Sequence, residues 1–143
     1  MQKRRFSVDA IAKYMPPGKR RHYGKYVVIE RLSFPLGLAW PGGGIEEGED
    51  KEEAVVREVD EETGLSFVHN CGSQFQAWLP RMYDEDGRDP RWPATSYVAY
   101  GYASGMPKNE EGKTRVLFLS KEEILAFAKE LDRANKPRTP GAN

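Results

Sequence analysis

Residues 41–65 join a glycine triplet to an acidic amphipathic stretch at a fixed distance, and no other segment constrains the chain as much. The segment opens on Pro41-Gly42-Gly43-Gly44, a sharp backbone feature, and ends at Gly64-Leu65. Between them, residues 50–63 follow a helical pattern. Asp50 can cap the first turn, and Glu53 follows three positions later in an approximation to a capping box. Gly64 stands where a left-handed C-terminal cap belongs. Val55, Val56 and Val59 form the stripe expected to be buried.

The C-terminal half of this helix breaks a local rule. It holds Glu58, Asp60, Glu61 and Glu62 with Arg57 as the nearby cation. Carboxylates at a helix C-terminus oppose the macrodipole, at ~0.3–1 kcal/mol each when exposed. Glu58 and Glu62 are also an i,i+4 like-charge pair, and Glu61 crowds nearly the same face. A solvated acidic face is the simple reading. A divalent cation reverses the sign of the argument, because clustered carboxylates make a hard oxygen site suited to Mg²⁺ with phosphate oxygens as further ligands. The glycine triplet adds backbone that can approach metal and phosphate closely.

The remaining pattern is strand-rich. Residues 6–14 and 25–32 read as strands, residues 38–40 as a short extended piece, and residues 66–68, 75–79, 96–103 and 115–119 as further strands. Ser120-Lys121-Glu122-Glu123 is a capping box opening a second helix, whose apolar stripe includes Ile124, Leu125, Phe127 and Leu131. Short strands with two helices predict a mixed sheet flanked by helices, a layered α/β fold. A long polar loop spans residues 80–93, and residues 135–143 read as a disordered tail. With no internal repeat, the 143 residues are expected to be a single domain.

Composition narrows the partners. Lys+Arg and Asp+Glu both total 22, so no global field draws the chain to nucleic acid or an anionic membrane. Affinity for phosphate must come from local arrangement. The lone Cys71 excludes an intramolecular disulfide and a cysteine-based zinc site, and reads as a small buried hydrophobe. No apolar run approaches a membrane span, and the N-terminus lacks a signal-peptide pattern, so the cytoplasm is the default expectation.

The spacing of Gly43, Glu49, Arg57-Glu58-Val59, Glu61-Glu62 and Gly64-Leu65 resembles the Nudix box at every fixed position. Seven fixed residues and two aliphatic ones arise by chance on the order of once in ten million. The resemblance extends more loosely through GKYVVIERL and LAWPGG upstream and FLSKEEI downstream. It implies a Nudix-type α/β/α sandwich and a hydrolase that cleaves the pyrophosphate linkage of a nucleoside diphosphate joined to another group. It also implies that Glu58 and Glu62 are metal ligands, with Glu61 in or beside that shell and the Gly42 carbonyl as a backbone ligand. Arg57 and Glu49 would support them. The implied cofactor is Mg²⁺, with Mn²⁺ as a substitute. The implied partner is a small-molecule nucleotide, with no nucleic acid and no membrane, in a monomer or a homodimer.

The box does not choose the substrate. GRDPR at residues 87–91, followed by SYVAYGY, resembles the segment after the box in ADP-ribose pyrophosphatases, and Pro80 stands where that subgroup carries a proline. Trp92 departs from the pattern, since a glycine is expected there. ADP-ribose or another nucleotide sugar is therefore the first choice, ahead of a house-cleaning (d)NTP pyrophosphatase. Diphosphoinositol and capped RNA come after these. A non-catalytic nucleotide-binding module of the same fold is the alternative class, and the presence of Glu58, Glu61 and Glu62 argues against it. Arg81, Arg88, Arg91 and Trp92 are the candidate substrate contacts, and Tyr83 is a further aromatic that could stack a base. The candidates for a general base outside the box are Glu110, Glu111, Asp84, Glu85, Asp86 and Asp89. His22 and His69 are expected to be structural.

Overall fold

The computed structural model describes residues 5–18, 20–33, 36–70, 76–77, 94–109 and 113–135. Among these residues, eight strands and two helices follow one another as β1 (Arg5–Tyr14), β2 (Tyr26–Arg31), β3 (Gly37–Ala39), β4 (Gly42–Gly44), α1 (Lys51–Thr63), β5 (Ser66–His69), β6 (Gln76–Ala77), β7 (Ala94–Ser104), β8 (Thr114–Leu119) and α2 (Lys121–Asn135). The expected α/β architecture, a mixed sheet with helices, is present. β1 and β7 pair in parallel from Arg5↔Ala94 to Tyr14↔Ala103, and the other pairings are antiparallel.

β1 organises the site. One edge runs along β7, and the other meets β4 through Ser7↔Gly44, Val8↔Gly43 and Asp9↔Gly42, then β2 at Lys13↔Tyr26. Strand alternation splits its side chains between two faces. Val8, Ala10 and Ala12 are fully buried in the core formed with Ala54, Val55 and Val59 of α1, together with Leu65 and Phe67. The stripe of α1 is rotated from the expected one: Ala54, Val55, Val59 and Thr63 are buried, whereas Val56 is 43% exposed. The face that meets β1, β4 and β5 decides this, and Val56 lies off it. β2 is covered on both sides, since its adjacent residues Val27 and Val28 point to opposite faces and both are buried.

The caps follow the sequence. Asp50 Oδ1 accepts from the Glu53 N–H at 2.8 Å, and Gly64 is left-handed at φ 76°, donating to Asp60 O. At α2 the capping box is reciprocal, with Glu123 N–H on Ser120 Oγ and Ser120 N–H on Glu123 Oε1. The stripe of α2 loses one expected member, because Leu125 is exposed. Of the segment 41–44, read as a sharp backbone feature, Pro41 sits at a bend and Gly42–Gly44 form a strand. No helix among the described residues is long and apolar enough to cross a membrane.

Candidate active site

The glycine strand β4 meets α1 through its backbone. Ala10 N–H bonds to Pro41 O on one side of the Val8↔Gly43 pair, and Ile45 N–H bonds to Phe6 O on the other. Antiparallel alternation then turns the N–H and C=O of Gly42 and Gly44 away from β1. Two of these groups are taken by α1: Gly42 N–H donates to Glu62 Oε2 at 3.0 Å, and Gly44 O accepts from Arg57 Nη2 at 2.9 Å. Gly43 faces Glu58, and a β-carbon there would lie 2.6 Å from the Glu58 carboxylate.

Arg57 is the hub of the acidic face. Its Nε and Nη2 form a fork on the Glu49 carboxylate at 2.7 and 2.9 Å, and Nη1 reaches Glu58 Oε1 at 2.9 Å and Glu61 Oε2 at 3.2 Å. Glu49 Oε1 also accepts from the Glu46 N–H, which folds the turn before α1. The guanidinium first, and that N–H second, pull the Glu49 carboxyl down to about 2. Arg57 is held more firmly protonated by Glu49 above all.

Glu58 and Glu62 are shifted the opposite way. Burial raises Glu58 against the pull of Arg57. Burial raises Glu62 to about 7, with the charges of Glu58, Asp9 and Glu61 adding to it and the Gly42 N–H opposing. Two half-dehydrated carboxylates beside a glycine backbone, with all their donors oxygen, fit Mg²⁺ in kind. As arranged, no three His, Cys, Asp or Glu side chains among the described residues gather into a ready-made cation cage. Glu61 is turned to Arg57 in an exposed i,i+4 pair, a contact that one rotamer change undoes.

The fold agrees with the comparisons. The NUDIX domain family model matches residues 4–140. The chain belongs to the Nudix family. It is 37% identical over 90 residues to Nudix hydrolase 26, chloroplastic, of Arabidopsis thaliana, covering 54% of this chain and 40% of that protein. It is 42% identical over 76 residues to an ADP-ribose pyrophosphatase of Methanocaldococcus jannaschii, covering 52% and 41%. The matched part thus spans about 40% of the length of these curated relatives. A NUDIX hydrolase from Nitrosomonas europaea shares the fold at TM-score 0.63 and 20% identity, covering 98% of this chain and 100% of that one. The MutT protein from Methanosarcina mazei does so at TM-score 0.60 and 22% identity, covering 95% and 98%.

Of the sequence-derived Nudix site residues, the structure brings together Glu49, Arg57, Glu58, Glu61, Glu62 and Gly42. Arg81, Arg88, Arg91 and Trp92 lie outside the described residues, as do Tyr83, Cys71, residues 136–143 and every base candidate: Asp84, Glu85, Asp86, Asp89, Glu110 and Glu111. His22 stacks on Phe118, and His69 Nδ1 contacts Glu52 Oε1 at 2.8 Å. Asp9 was not singled out from the sequence. It sits across from Gly42, and its one sequence signal is a carboxylate inside a strand of small and apolar residues.

Proposed function

We propose that this Nudix chain is a single-domain, divalent-metal-dependent pyrophosphohydrolase whose substrate is a nucleoside diphosphate linked to another group, with ADP-ribose or another nucleotide sugar first. One observation carries the reading: β4 gathers Glu58 and Glu62 at its glycine backbone, where burial disfavours their charges. Buried carboxylates of this kind call for a cation. The relative named an ADP-ribose pyrophosphatase and the GRDPR segment support the substrate class.

Glu58, Glu62 and the Gly42 carbonyl would hold Mg²⁺, with Glu61 joining them after leaving Arg57. When bound, the metal neutralises the diphosphate and makes water a better nucleophile at neutral pH. Arg57 keeps Glu58 oriented while Glu49 keeps Arg57 in place, the support that metal ligands require. In the reaction a water oxygen bonds to one phosphorus and the bridging P–O bond breaks. The products are a nucleoside monophosphate and the phosphorylated second group, and the proton of the water is released to base.

A panel of ADP-ribose, other nucleotide sugars and (d)NTPs, oxidised forms included, tests the reading with Mg²⁺ or Mn²⁺ present. Release of nucleoside monophosphate fastest from a nucleotide sugar supports it. Preference for a (d)NTP overturns the substrate class. Nucleotide binding without hydrolysis of anything overturns the enzyme.

A further inference from the structure

We propose that Asp9, held by Ser96, is a positioning residue for the hydrolysis: it fixes the β4 backbone at Gly42, through which Glu62 is oriented. The proposal rests on the hydrolase reading above and adds residues outside the box to it.

Three contacts in a row carry the argument. Ser96 Oγ on β7 donates to Asp9 Oδ2 at 2.8 Å. The ten-position parallel register of β1 and β7 fixes that pair along the strands. Asp9 then lies directly across from Gly42 in the β1–β4 pairing. A β-carbon at Gly42 would overlap the Asp9 Oδ1, the Asp9 Cα and the Val8 carbonyl oxygen, so the carboxylate fills the space beside the glycine. Gly42 N–H in turn donates to Glu62 Oε2 at 3.0 Å. The line runs from β7 through β1 and β4 to α1.

Asp9 is a costly choice for this place. Asp is among the residues depleted in strand interiors, where β-branched side chains pack better. Its charge also adds to those of Glu58 and Glu61 around Glu62. Local rules broken together beside a site point to function. A displacement of about 1 Å in a supporting contact can cost on the order of 100-fold in rate, so a residue that sets the Gly42 position acts through Glu62.

The test uses the full chain with Asp9→Ala, Asp9→Asn and Ser96→Ala, read by three measurements. Hydrogen exchange at the Gly42 amide, without divalent cation, reports the Gly42–Glu62 bond itself. Mn²⁺ affinity by electron paramagnetic resonance reports the carboxylate arrangement. Steady-state kinetics on the best substrate of the panel reports the reaction. In Asp9→Ala, protection at Gly42 should fall about tenfold while that of Val59 is unchanged. Mn²⁺ affinity should weaken, and kcat should fall about tenfold or more with KM within about twofold. Asp9→Asn keeps the shape and still accepts from Ser96, so it should restore most of each quantity, and Ser96→Ala should fall between. Unchanged Gly42 protection in Asp9→Ala overturns the proposal. So does an Asp9→Asn protein as impaired as Asp9→Ala, which would assign the role to the charge. The exchange and Mn²⁺ measurements decide the proposal even if the panel shows no hydrolysis, an outcome that defeats only the hydrolase reading.

Discussion

The Glu58 carboxylate occupies the space that a side chain at position 43 would need: a β-carbon on Gly43 would come within 2.6 Å of the Glu58 Cδ and both its oxygens. The obstacle is the far end of a flexible side chain, so the fold can yield while the site cannot. Gly43→Ala is expected to lower kcat by about 100-fold with little change in Tm. Gly42→Ala should behave differently, because there the obstacle includes the Val8 carbonyl oxygen and the Asp9 Cα, and the β1–β4 pairing itself must open. Thermal unfolding beside single-turnover rates separates the two. Equal losses of rate and stability in Gly43→Ala would show that Gly43 serves only the fold.

Glu62 links the site to pH. Its folded-state carboxyl is raised from the ordinary 4.5 to about 7, chiefly by burial. The folded protein therefore keeps a proton that the unfolded chain releases, and the associated stability is complete below pH 4.5 and lost as pH rises through about 7. Glu49 has the opposite sign, since its carboxyl is depressed to about 2 and its contribution is lost as pH falls through that value. Without divalent cation, Glu62→Gln should be more stable than the wild type at pH 8 by on the order of 1–2 kcal/mol, and the gain should vanish near pH 4.5. With Mg²⁺ the same variant should lose several orders of magnitude in kcat, because an amide is a poor Mg²⁺ ligand. Identical melting curves for the two proteins from pH 5 to 8 would contradict the burial of this charge.

The helix α1 and the box on it were legible in the sequence because their signals are local. Asp50, Glu53 and Gly64 sit at their cap positions, and the spacing of Gly43, Arg57, Glu58 and Glu62 is a linear pattern. β4 was not legible, since three glycines carry no periodicity and the strand exists through its pairing with β1. The exposure of Val56 was missed for a related reason: periodicity locates a stripe, but the packing partners choose its centre. Asp9 and Ser96 stand 87 positions apart, and the parallel register that unites them leaves no trace in either segment.

Arg57 tests how far the acidic cluster depends on geometry and how far on charge alone. Its Nε and Nη2 grip both oxygens of Glu49, while Nη1 serves Glu58 and Glu61. A lysine keeps the charge but offers one compact ammonium that cannot form the fork. Arg57→Lys is expected to lower kcat about tenfold with little change in Tm, because its ammonium keeps a cation beside the part-buried Glu49 and Glu58, and Arg57→Ala should lower kcat further and Tm as well. The measurement is kcat against Mg²⁺ concentration. A lysine variant matching the wild type at all Mg²⁺ concentrations would reduce Arg57 to a surface charge.

The segment 78–93 connects β6 to β7, and both anchors belong to the frame of the site. β6 pairs with β7 at Gln76↔Val98 and Ala77↔Tyr97, and β7 carries Ser96, bonded to the Asp9 that lies against Gly42. Residues 77 and 94, which flank the segment, therefore lie on β6 and β7, one strand removed from the β1 that pairs with the glycine strand. Its sequence combines Arg81, Arg88 and Arg91 with Trp92 and a run of acidic residues, a mixture suited to diphosphate, sugar and base. If it selects the substrate, Arg88→Ala and Trp92→Ala should raise KM for ADP-ribose about tenfold with kcat nearly constant, since the lost contacts bind ground state and transition state alike. If it supplies the base, one substitution among Asp84, Glu85, Asp86 and Asp89 should lower kcat and remove the acid limb of the pH profile. Kinetics with ADP-ribose and dGTP side by side distinguish these outcomes. An unchanged ratio of kcat/KM between the two substrates across the whole series would exclude the segment as the selector and shift attention to the β1 face around Asp9.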